Sequence, residues 1–523
     1  MSGQGRTEKS MMNVLTGVFG QMFSFVLSFA IRTVFIKTLG EVYLGINGLF
    51  SNILSVLNLT ELGLGTAIVI ELYRTVAQKD EEKTKQYLEL YRKAYLVIGI
   101  VIFTIGLALT PFLNIFIKDS GSVELINIRL VFILYLINTT FSYFVFAYRQ
   151  SILQANQEEY KVRIITYIFK FLEMFLQIIF LIVFKNIYVY LIIPIVLGCV
   201  STVLKGVLIG KWHPIVREKP QGKLSKEEIK TTARNIGAVA IYKISGTVIN
   251  STDNIILSSF ISIILTGLYS NYLIIVSAIK TMLEKLFSAF TASLGNLNVD
   301  AGDDLEKKHS IFNTLSFLNF WIYGFCTVAM FALFEPFIKL WIGERYILNF
   351  ATEAMIALNL AVMGLQETVG THRAAYGLFY KGRYRPFFSI LLNIVLSILF
   401  VKILPDNYGV VGVLLGTVLS NLLSSWWYDA LIIHKYAFNC SPKKYYIEFW
   451  LRLIYISVCA VVFRFICSLI DIAPIVDFIL GGIICTLLYN FFFFLLFWKK
   501  EEFKYFSESL KRILNKFLRR KTV

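Results

Sequence analysis

Positively charged side chains stand inside, or at the ends of, long stretches of sequence that are otherwise apolar. The five that could act together are Arg32, Arg149, Lys243, Lys280 and Arg373. A charge at the centre of a membrane helix costs roughly 2.5–3.5 kcal/mol on insertion scales, so a chain that keeps several of them is expected to use them. The planar guanidinium of Arg pairs with two oxygens of a phosphate, and Lys adds a point charge, so these residues suit an anionic substrate group.

Acidic and polar side chains occupy the same stretches. We expect Glu61, Asp253 and Glu367 to hold the cations before substrate binds, or to bind a coupling ion, H⁺ or Na⁺. Polar residues recur at spacings of three and four in the first two predicted spans of each half, which places them on one helix face. The predicted polar lining is Gln21, Ser28, Asn47, Ser51, Asn58, Asn250, Ser270 and His372. Two interpretations stay open, a water-filled cleft and hydrogen bonding between packed membrane helices. His372 is likewise either a proton sensor or a structural residue.

The elements that must position these residues are long apolar runs. The 523-residue chain is 57% hydrophobic, and its apolar runs are long enough to cross a hydrocarbon core of about 30 Å. The fourteen predicted spans are 13–36, 43–72, 94–117, 123–149, 162–184, 187–210, 236–260, 264–292, 311–334, 350–378, 387–404, 409–433, 449–470 and 475–498. A bilayer offers no water to the backbone, so runs of this length must be helical. The sequence therefore predicts an all-α polytopic membrane protein.

Basic residues set the expected orientation. A cytoplasmic N-terminus puts nearly all Lys and Arg that flank the spans on the cytoplasmic side, as membrane proteins favour. The exceptions, at the outer ends, are Lys37, Lys118, Lys185, Lys339, Arg345 and Lys402. This asymmetry explains most of the net charge of +17 and predicts that both termini are cytoplasmic. The basic tail 499–523 fits a membrane flank better than a nucleic-acid arm, so we expect no nucleic-acid partner.

Three pairs of segments indicate an internal repeat. NGLFSNIL (47–54) resembles TGLYSNYL (266–273), LTPFLNIFI (109–117) resembles FEPFIKLWI (334–342), and 149–160 resembles 373–384, all at nearly one offset. The predicted domains are an N-lobe of spans 1–6 (1–210), a cytoplasmic linker (211–235), a C-lobe of spans 7–12 (236–433), spans 13–14 (434–498) and the tail (499–523). Two six-helix copies related by an axis along the membrane normal are typical of transporters that hold substrate between their halves.

The chain resembles the polysaccharide repeat-unit flippases of the multidrug/oligosaccharidyl-lipid/polysaccharide (MOP) exporter superfamily. The resemblance rests on RTVFIKTLG and LGINGLFSNILSVLNLTELGLGTAI within 32–68, on the twofold repeat, and on GLFYKGRYRP (377–386). It implies lobes that alternate between inward-open and outward-open forms in the bacterial cytoplasmic membrane, with a cationic central cavity. It also implies a substrate of sugars joined through pyrophosphate to a polyprenyl lipid, flipped for capsule, O-antigen or exopolysaccharide assembly.

Other functions of the same superfamily stay open, namely cation-coupled multidrug export and flipping of a lipid-linked peptidoglycan precursor. The expected partners are the lipid-linked substrate, the bilayer, and a polysaccharide polymerase with other assembly proteins, and we expect a monomer. The chain lacks the glycine-rich loop that cradles nucleotide phosphates and a large outward loop for a membrane enzyme, so we expect a transporter without a cofactor. Its six Cys show no paired spacing, so the sequence indicates neither a disulfide nor a metal site.

Overall fold

The computed structural model describes residues 3–58, 61–118, 126–300 and 304–504, and these ranges are predominantly helical, with no strand among them. The first ten helices are α1 (Gly3–Leu39), α2 (Glu41–Leu57), α3 (Glu61–Gln78), α4 (Glu81–Leu109), α5 (Ile128–Phe144), α6 (Gln150–Ala155), α7 (Glu159–Phe184), α8 (Ile187–Trp212), α9 (Lys226–Phe260) and α10 (Ile263–Asp300). The remaining helices are α11 (Leu305–Trp341), α12 (Phe350–Gly364), α13 (Glu367–Ala375), α14 (Arg385–Ile403), α15 (Gly409–Asn421), α16 (Trp427–Tyr436), α17 (Lys443–Ser468) and α18 (Pro474–Phe497). The predicted all-α polytopic fold is confirmed.

Each of the fourteen predicted spans contains helix, but four are interrupted. Span 2 divides into α2 and α3, span 4 bends by 52° between α5 and the turn before α6, and span 10 divides into α12 and α13. Span 12 contains a π-helical turn, Leu422–Trp426, between α15 and α16. Within the described residues ten helical segments are long and apolar enough to cross a membrane, or eleven with the bent pair. The number is below fourteen because spans 2 and 10 are split and α9 is continuous but rich in polar residues.

The break in span 2 corrects one detail of the sequence interpretation. The spacing predicts one continuous helix over 43–72, with Asn47, Ser51, Ser55, Asn58 and Glu61 on one face. Because α2 ends at Leu57 and α3 begins at Glu61, that acid belongs to a different helix from the rest of the stripe. The side chain of Glu61 lies outside the described part of the structure.

The chain divides into two compact units, 1–270 and 271–523. In the first unit α1 packs on α7, α7 on α8, α8 on α5, α5 on α4, and α4 on α3, while α9 packs against α2 and α3. This division falls within α10, whereas the predicted linker 211–235 lies inside the first unit, and the lobe boundaries given above stay predictions.

The second unit is built around α11, which packs against α12, α17 and α18. Helices α14 and α15 form the tightest pair there, because Gly416 lets the two backbones approach. A Cβ atom at Gly416 would lie 2.4 Å from the backbone nitrogen of Ser397, which is closer than real atoms come. Small residues at such crossings are typical of membrane helices. The pair α14–α15 and the pair α13–α16 carry most of the charged residues described next.

Candidate anion-binding site

A cavity of about 220 Å³ lies within the second unit, where two interrupted helices meet. Span 10 is broken between α12 and α13, and Gln366 at this break donates to the side-chain oxygen of Asn421 at 2.7 Å. Asn421 ends α15, directly before the π-helical turn. Discontinuous helices and π-helical turns recur at substrate sites of membrane transporters, because they free backbone and side-chain polar groups to face a cavity.

The cavity is lined by three cations and three carboxylates as well as by polar and apolar groups. The charged lining residues are Lys280, Glu284, Glu367, Arg373, Arg385 and Asp429. Their formal charges cancel, so this cavity is not cationic as a whole. The charges are unevenly distributed, however, because two of the three cations share a single carboxylate.

Two arginines share one carboxylate in the wall of the cavity. Arg373 near the end of α13 and Arg385 at the start of α14 both donate to Oδ2 of Asp429, which stands in the first turn of α16. The distance from Arg385 Nη2 to Asp429 Oδ2 is 2.8 Å, and Arg385 also donates to Ser425 Oγ at 2.9 Å. All three charged side chains are about nine-tenths buried. The triad therefore carries a formal charge of +1 in a largely desolvated place, where electrostatic forces are stronger than in water.

The remaining charges of the cavity are held more loosely. Lys280 and Glu284, one turn apart on α10, are 3.8 Å apart and partly exposed. The carboxylate of Glu367 forms no ion pair within 4.0 Å among the residues that the structure describes, although it lines the same cavity. An acid in that position is available to a proton or a small cation.

The first unit holds a second group of predicted site residues. Arg32 on α1 donates to the hydroxyl of Ser270, and its charge lies close to Tyr190. Tyr190 also interacts with the side chain of Asn47, whose oxygen accepts from Ser51 at 3.3 Å. Arg32, Asn47, Ser51 and Ser270, from α1, α2 and α10, are thus connected through Tyr190 into one polar group.

Four other predicted residues also belong to the first unit. Arg149 is in a short 3-10 turn, where it donates to the carbonyl of Gly206 at 2.9 Å and stacks on Phe146. Lys243 and Asn250 are exposed on α9, and Asp253 is buried on the same helix.

Three more predicted residues belong to the first unit. Ser28 donates to the carbonyl of Ser24 in its own helix, and Asn58 accepts from Tyr143. Gln21 is partly buried on α1. For Ser28, the bond stays within one helix, as hydroxyl groups of membrane helices commonly do.

His372 is fully buried beside the cavity wall. Its Nδ1 lies 2.8 Å from the carbonyl oxygen of Thr368, to which it donates, and the ring of Phe312 packs edge-on against it at 5.0 Å. These contacts are those of a packed core residue. The proton-sensing role of His372 stays a prediction.

Sequence reasoning missed two members of the triad. Arg385 was counted with the basic residues of a cytoplasmic loop, and Asp429 was not singled out although it stands inside span 12. An acid within an apolar run is itself a signal of function or of a buried ion pair. The same signal would have found Glu353, which is fully buried and pairs with Arg464 at 3.0 Å.

Comparison with known proteins agrees with this architecture. The profile of the MatE family matches residues 18–183, which lie in the first unit. The lipid II flippase MurJ, in an inward closed conformation, superposes with a TM-score of 0.65 at 16% identity, covering 92% of this chain and 99% of MurJ. A multidrug resistance MATE family transporter of the MOP superfamily, in an inward-facing conformation, gives 0.60 at 15% identity, covering 78% and 94%. The chain therefore shares the fold of these two transporters.

A third solved structure shares this fold. It is a MOP superfamily transporter from Pyrococcus furiosus whose binding pocket has reverse polarity, with a TM-score of 0.52 at 14% identity, covering 82% of this chain and 96% of that one. No curated protein sequence matches the chain. The fold is therefore that of membrane transporters that include both drug exporters and a lipid flippase.

Proposed function

We propose that this protein flips a polyprenyl-pyrophosphate-linked oligosaccharide across the bacterial cytoplasmic membrane by alternating access, for assembly of a surface polysaccharide such as capsule, O-antigen or exopolysaccharide. The observation that carries the proposal is the triad of Arg373, Arg385 and Asp429 in a buried cavity wall. The similarity in fold to a lipid flippase supports the same reaction class.

The triad explains how an anion can be bound and later released. Each guanidinium can present two parallel donors to a phosphate, which is a stronger and more specific pairing than a point charge offers. Before the substrate arrives, Asp429 pairs with both arginines, so the two buried cations have a counter-ion in the empty site. When pyrophosphate binds, it competes with Asp429, and when it leaves, Asp429 takes its place again. Such an exchange keeps binding moderate, as a transport cycle requires.

The size of the cavity indicates which part of the substrate it receives. A volume of about 220 Å³ is below the roughly 300–1,000 Å³ of sites that enclose drug-sized molecules. It suits a pyrophosphate with its nearest sugar better than a whole oligosaccharide. The polyprenyl tail must remain in the lipid, because hydrocarbon gains nothing from entering a charged cavity.

The proposal is tested by binding of a polyprenyl pyrophosphate to the purified full-length protein in detergent. Arg373→Ala removes the hydrogen-bond donors of one guanidinium. Hydrogen bonds to a charged group contribute about 1.5–3 kcal/mol, so the affinity for the polyprenyl pyrophosphate should fall roughly 10–100-fold. Lys435→Ala is a matched control, because Lys435 is an exposed cation on α16, the helix of Asp429. Equal affinity for the Arg373 variant and the control would contradict the proposed site.

Cation-coupled multidrug export is the second candidate, and specific observations favour it. The MatE profile matches the first unit, and Glu367 is a partly exposed acid in the cavity without an ion pair among the described residues. Loss of drug resistance, with intact surface polysaccharide, in a strain lacking the protein would select this function. A defect in cell-wall synthesis would instead select flipping of a peptidoglycan precursor.

A further inference from the structure

Three side chains with metal-binding atoms converge at one end of the second unit, outside the cavity. His309 lies in the second turn of α11, His434 in the last turn of α16, and Cys440 in the loop that follows. One ligand atom from each lies within 4.8 Å of the other two. The whole sequence has four His and six Cys, so half of its histidines meet at this one place. Spacing along the chain could not reveal the group, because His309 is far from the other two in sequence.

The loop after α16 is shaped so that Cys440 faces the end of the helix. Asn439 adopts a left-handed backbone conformation with φ of 50°, which Asn tolerates better than most residues. This turn lets the backbone N–H of Cys440 donate to the carbonyl oxygen of His434 at 3.0 Å. The thiol of Cys440 is thereby held beside the imidazole of His434, whose carbonyl oxygen accepts from the backbone of Cys440.

His434 has the hydrogen bond expected of a metal ligand. Its Nδ1 lies 2.8 Å from the carbonyl oxygen of Ala430 and donates to it, which leaves the lone pair of Nε2 for a metal. Metal-binding histidines nearly always donate their second ring nitrogen to a carbonyl or carboxylate in this way. The ring is also fixed by Phe312, whose centroid is 5.3 Å from it. His434 is buried, whereas His309 and Cys440 retain contact with solvent, so a metal has a path to the site.

We propose that His309, His434 and Cys440 form a binding site for Zn²⁺. Two imidazole nitrogens and a thiolate suit Zn²⁺ and exclude Mg²⁺ and Ca²⁺, which prefer oxygen ligands. With Zn–N and Zn–S distances of about 2.0–2.3 Å, tetrahedral ligands lie roughly 3.3–3.7 Å apart, so a contraction of about 1 Å completes the site. His309 and Cys440, which are not fully buried, can make that movement. Water fills the fourth position, as in open zinc sites, so the metal should exchange with chelators.

The site has a structural route to the cavity described above. Phe312, Val369 and Ile433 belong to one apolar cluster, Phe312 touches the rings of His309 and His434, and Val369 also lines the cavity. Zn²⁺ would join the start of α11 to the end of α16 on the far side of this cluster. Bound metal therefore stiffens the base on which α13 rests, and the expected effect on any transport cycle is regulatory rather than catalytic. Lys444 and Glu448 both lie near His309, so their charges largely offset each other at the site.

The test is metal binding by the full-length protein in detergent, purified with a tag free of histidine and stripped with a chelator. Cobalt(II) added to the stripped protein should give a thiolate charge-transfer absorption, and added Zn²⁺ should abolish it. Mass spectrometry of the protein reloaded with Zn²⁺ should then find one Zn²⁺ per chain. Cys440→Ser should abolish the thiolate band, and His309→Asn should weaken Zn²⁺ binding at least tenfold. The matched controls are Cys459→Ser and His213→Asn, which alter a cysteine and a histidine outside the group and should bind as the wild type does.

A second measurement needs no substitution. Zn²⁺ should slow alkylation of Cys440 by N-ethylmaleimide in the wild-type protein, while Mg²⁺ should not. Absence of stoichiometric Zn²⁺ in the wild type, a thiolate band that survives in Cys440→Ser, or alkylation that ignores Zn²⁺ would each overturn the assignment.

Discussion

The carboxylate of Asp429 has two proposed roles, to neutralise Arg373 and Arg385 and to compete with the anionic substrate. Replacing Asp429 by Asn tests the two roles separately. Asn preserves the shape of the side chain but removes the negative charge that neutralises Arg373 and Arg385. All three side chains are about nine-tenths buried, so the substitution would take from both guanidinium groups the carboxylate that they share. Breaking a buried pair in this way costs roughly 3–5 kcal/mol. For a unit of this size a change of 1 kcal/mol shifts the melting temperature by about 2–4 °C, so we expect Asp429→Asn to melt roughly 6–20 °C below the wild type.

The same substitution should strengthen anion binding. The formal charge of the triad rises from +1 to +2, and the carboxylate that competes with pyrophosphate is gone. A tenfold gain in affinity would add about 1.4 kcal/mol of stabilisation at saturating ligand, so polyprenyl pyrophosphate should raise the melting temperature of the variant more than that of the wild type. The assay is thermal unfolding in detergent, followed by tryptophan fluorescence, with and without the ligand.

The control is Asp471→Asn, which removes an exposed acid from the same unit and should change neither quantity. If Asp429→Asn had the same melting temperature as the wild type, the two ion pairs would contribute nothing to stability and the energetic argument would fail. If the variant were destabilised but gained no more from the ligand than the wild type, Asp429 would be a structural residue and not a competitor for an anion site.

Four further predictions follow from other parts of the molecule. Glu353→Gln should lower the unfolding free energy by about 3 kcal/mol, because it removes the fully buried partner of Arg464. Glu335→Gln is the comparison and should cost under about 1 kcal/mol, because Glu335 is half exposed. Equal melting temperatures of the two variants would refute this prediction. Ser225→Ala should lower amide-exchange protection in the first turn of α9 by about 1 kcal/mol, because Ser225 caps that helix, and unchanged protection would contradict the role. The pKa of Glu228 is lowered by the backbone N–H of Ser225, by the Ser225 hydroxyl and by Lys83. The contribution of Glu228 to folding stability should therefore be present above the ordinary pKa of Glu and be lost as the pH falls through the lowered value. An inside-negative potential should speed outward flipping of the anionic substrate, by up to about 2.3 kcal/mol per charge per 100 mV, and flipping in vesicles that ignores an imposed potential would exclude that drive.

The positions of the helices could be predicted because membrane spans depend mainly on average hydropathy. The interruptions could not, because they depend on single residues within apolar runs. The break before Glu367 is supported by a hydrogen bond from Gln366 to Asn421, and the two residues are remote in sequence. Only their polarity marks them, and polarity alone does not distinguish a broken helix from a continuous one.

The partners of the predicted cations were equally hidden. Arg373 was identified from its charge at membrane depth, but its pairing with Asp429 depends on how α13 packs against α16. Arg385 was assigned to a loop because it follows a basic segment, whereas it begins a helix and turns into the cavity wall. Type and depth of a residue can be read from a sequence, and its neighbours across a helix interface cannot.

The most direct test of a flippase with an anion site at Arg373 is a transport measurement on proteoliposomes. A fluorescent polyprenyl-pyrophosphate oligosaccharide is reconstituted with the wild type, Arg373→Ala or Lys435→Ala, and its transfer between leaflets is followed by quenching from outside. We predict rapid transfer with the wild type and Lys435→Ala, and transfer at least tenfold slower with Arg373→Ala. Transfer by Arg373→Ala at the wild-type rate would contradict the account.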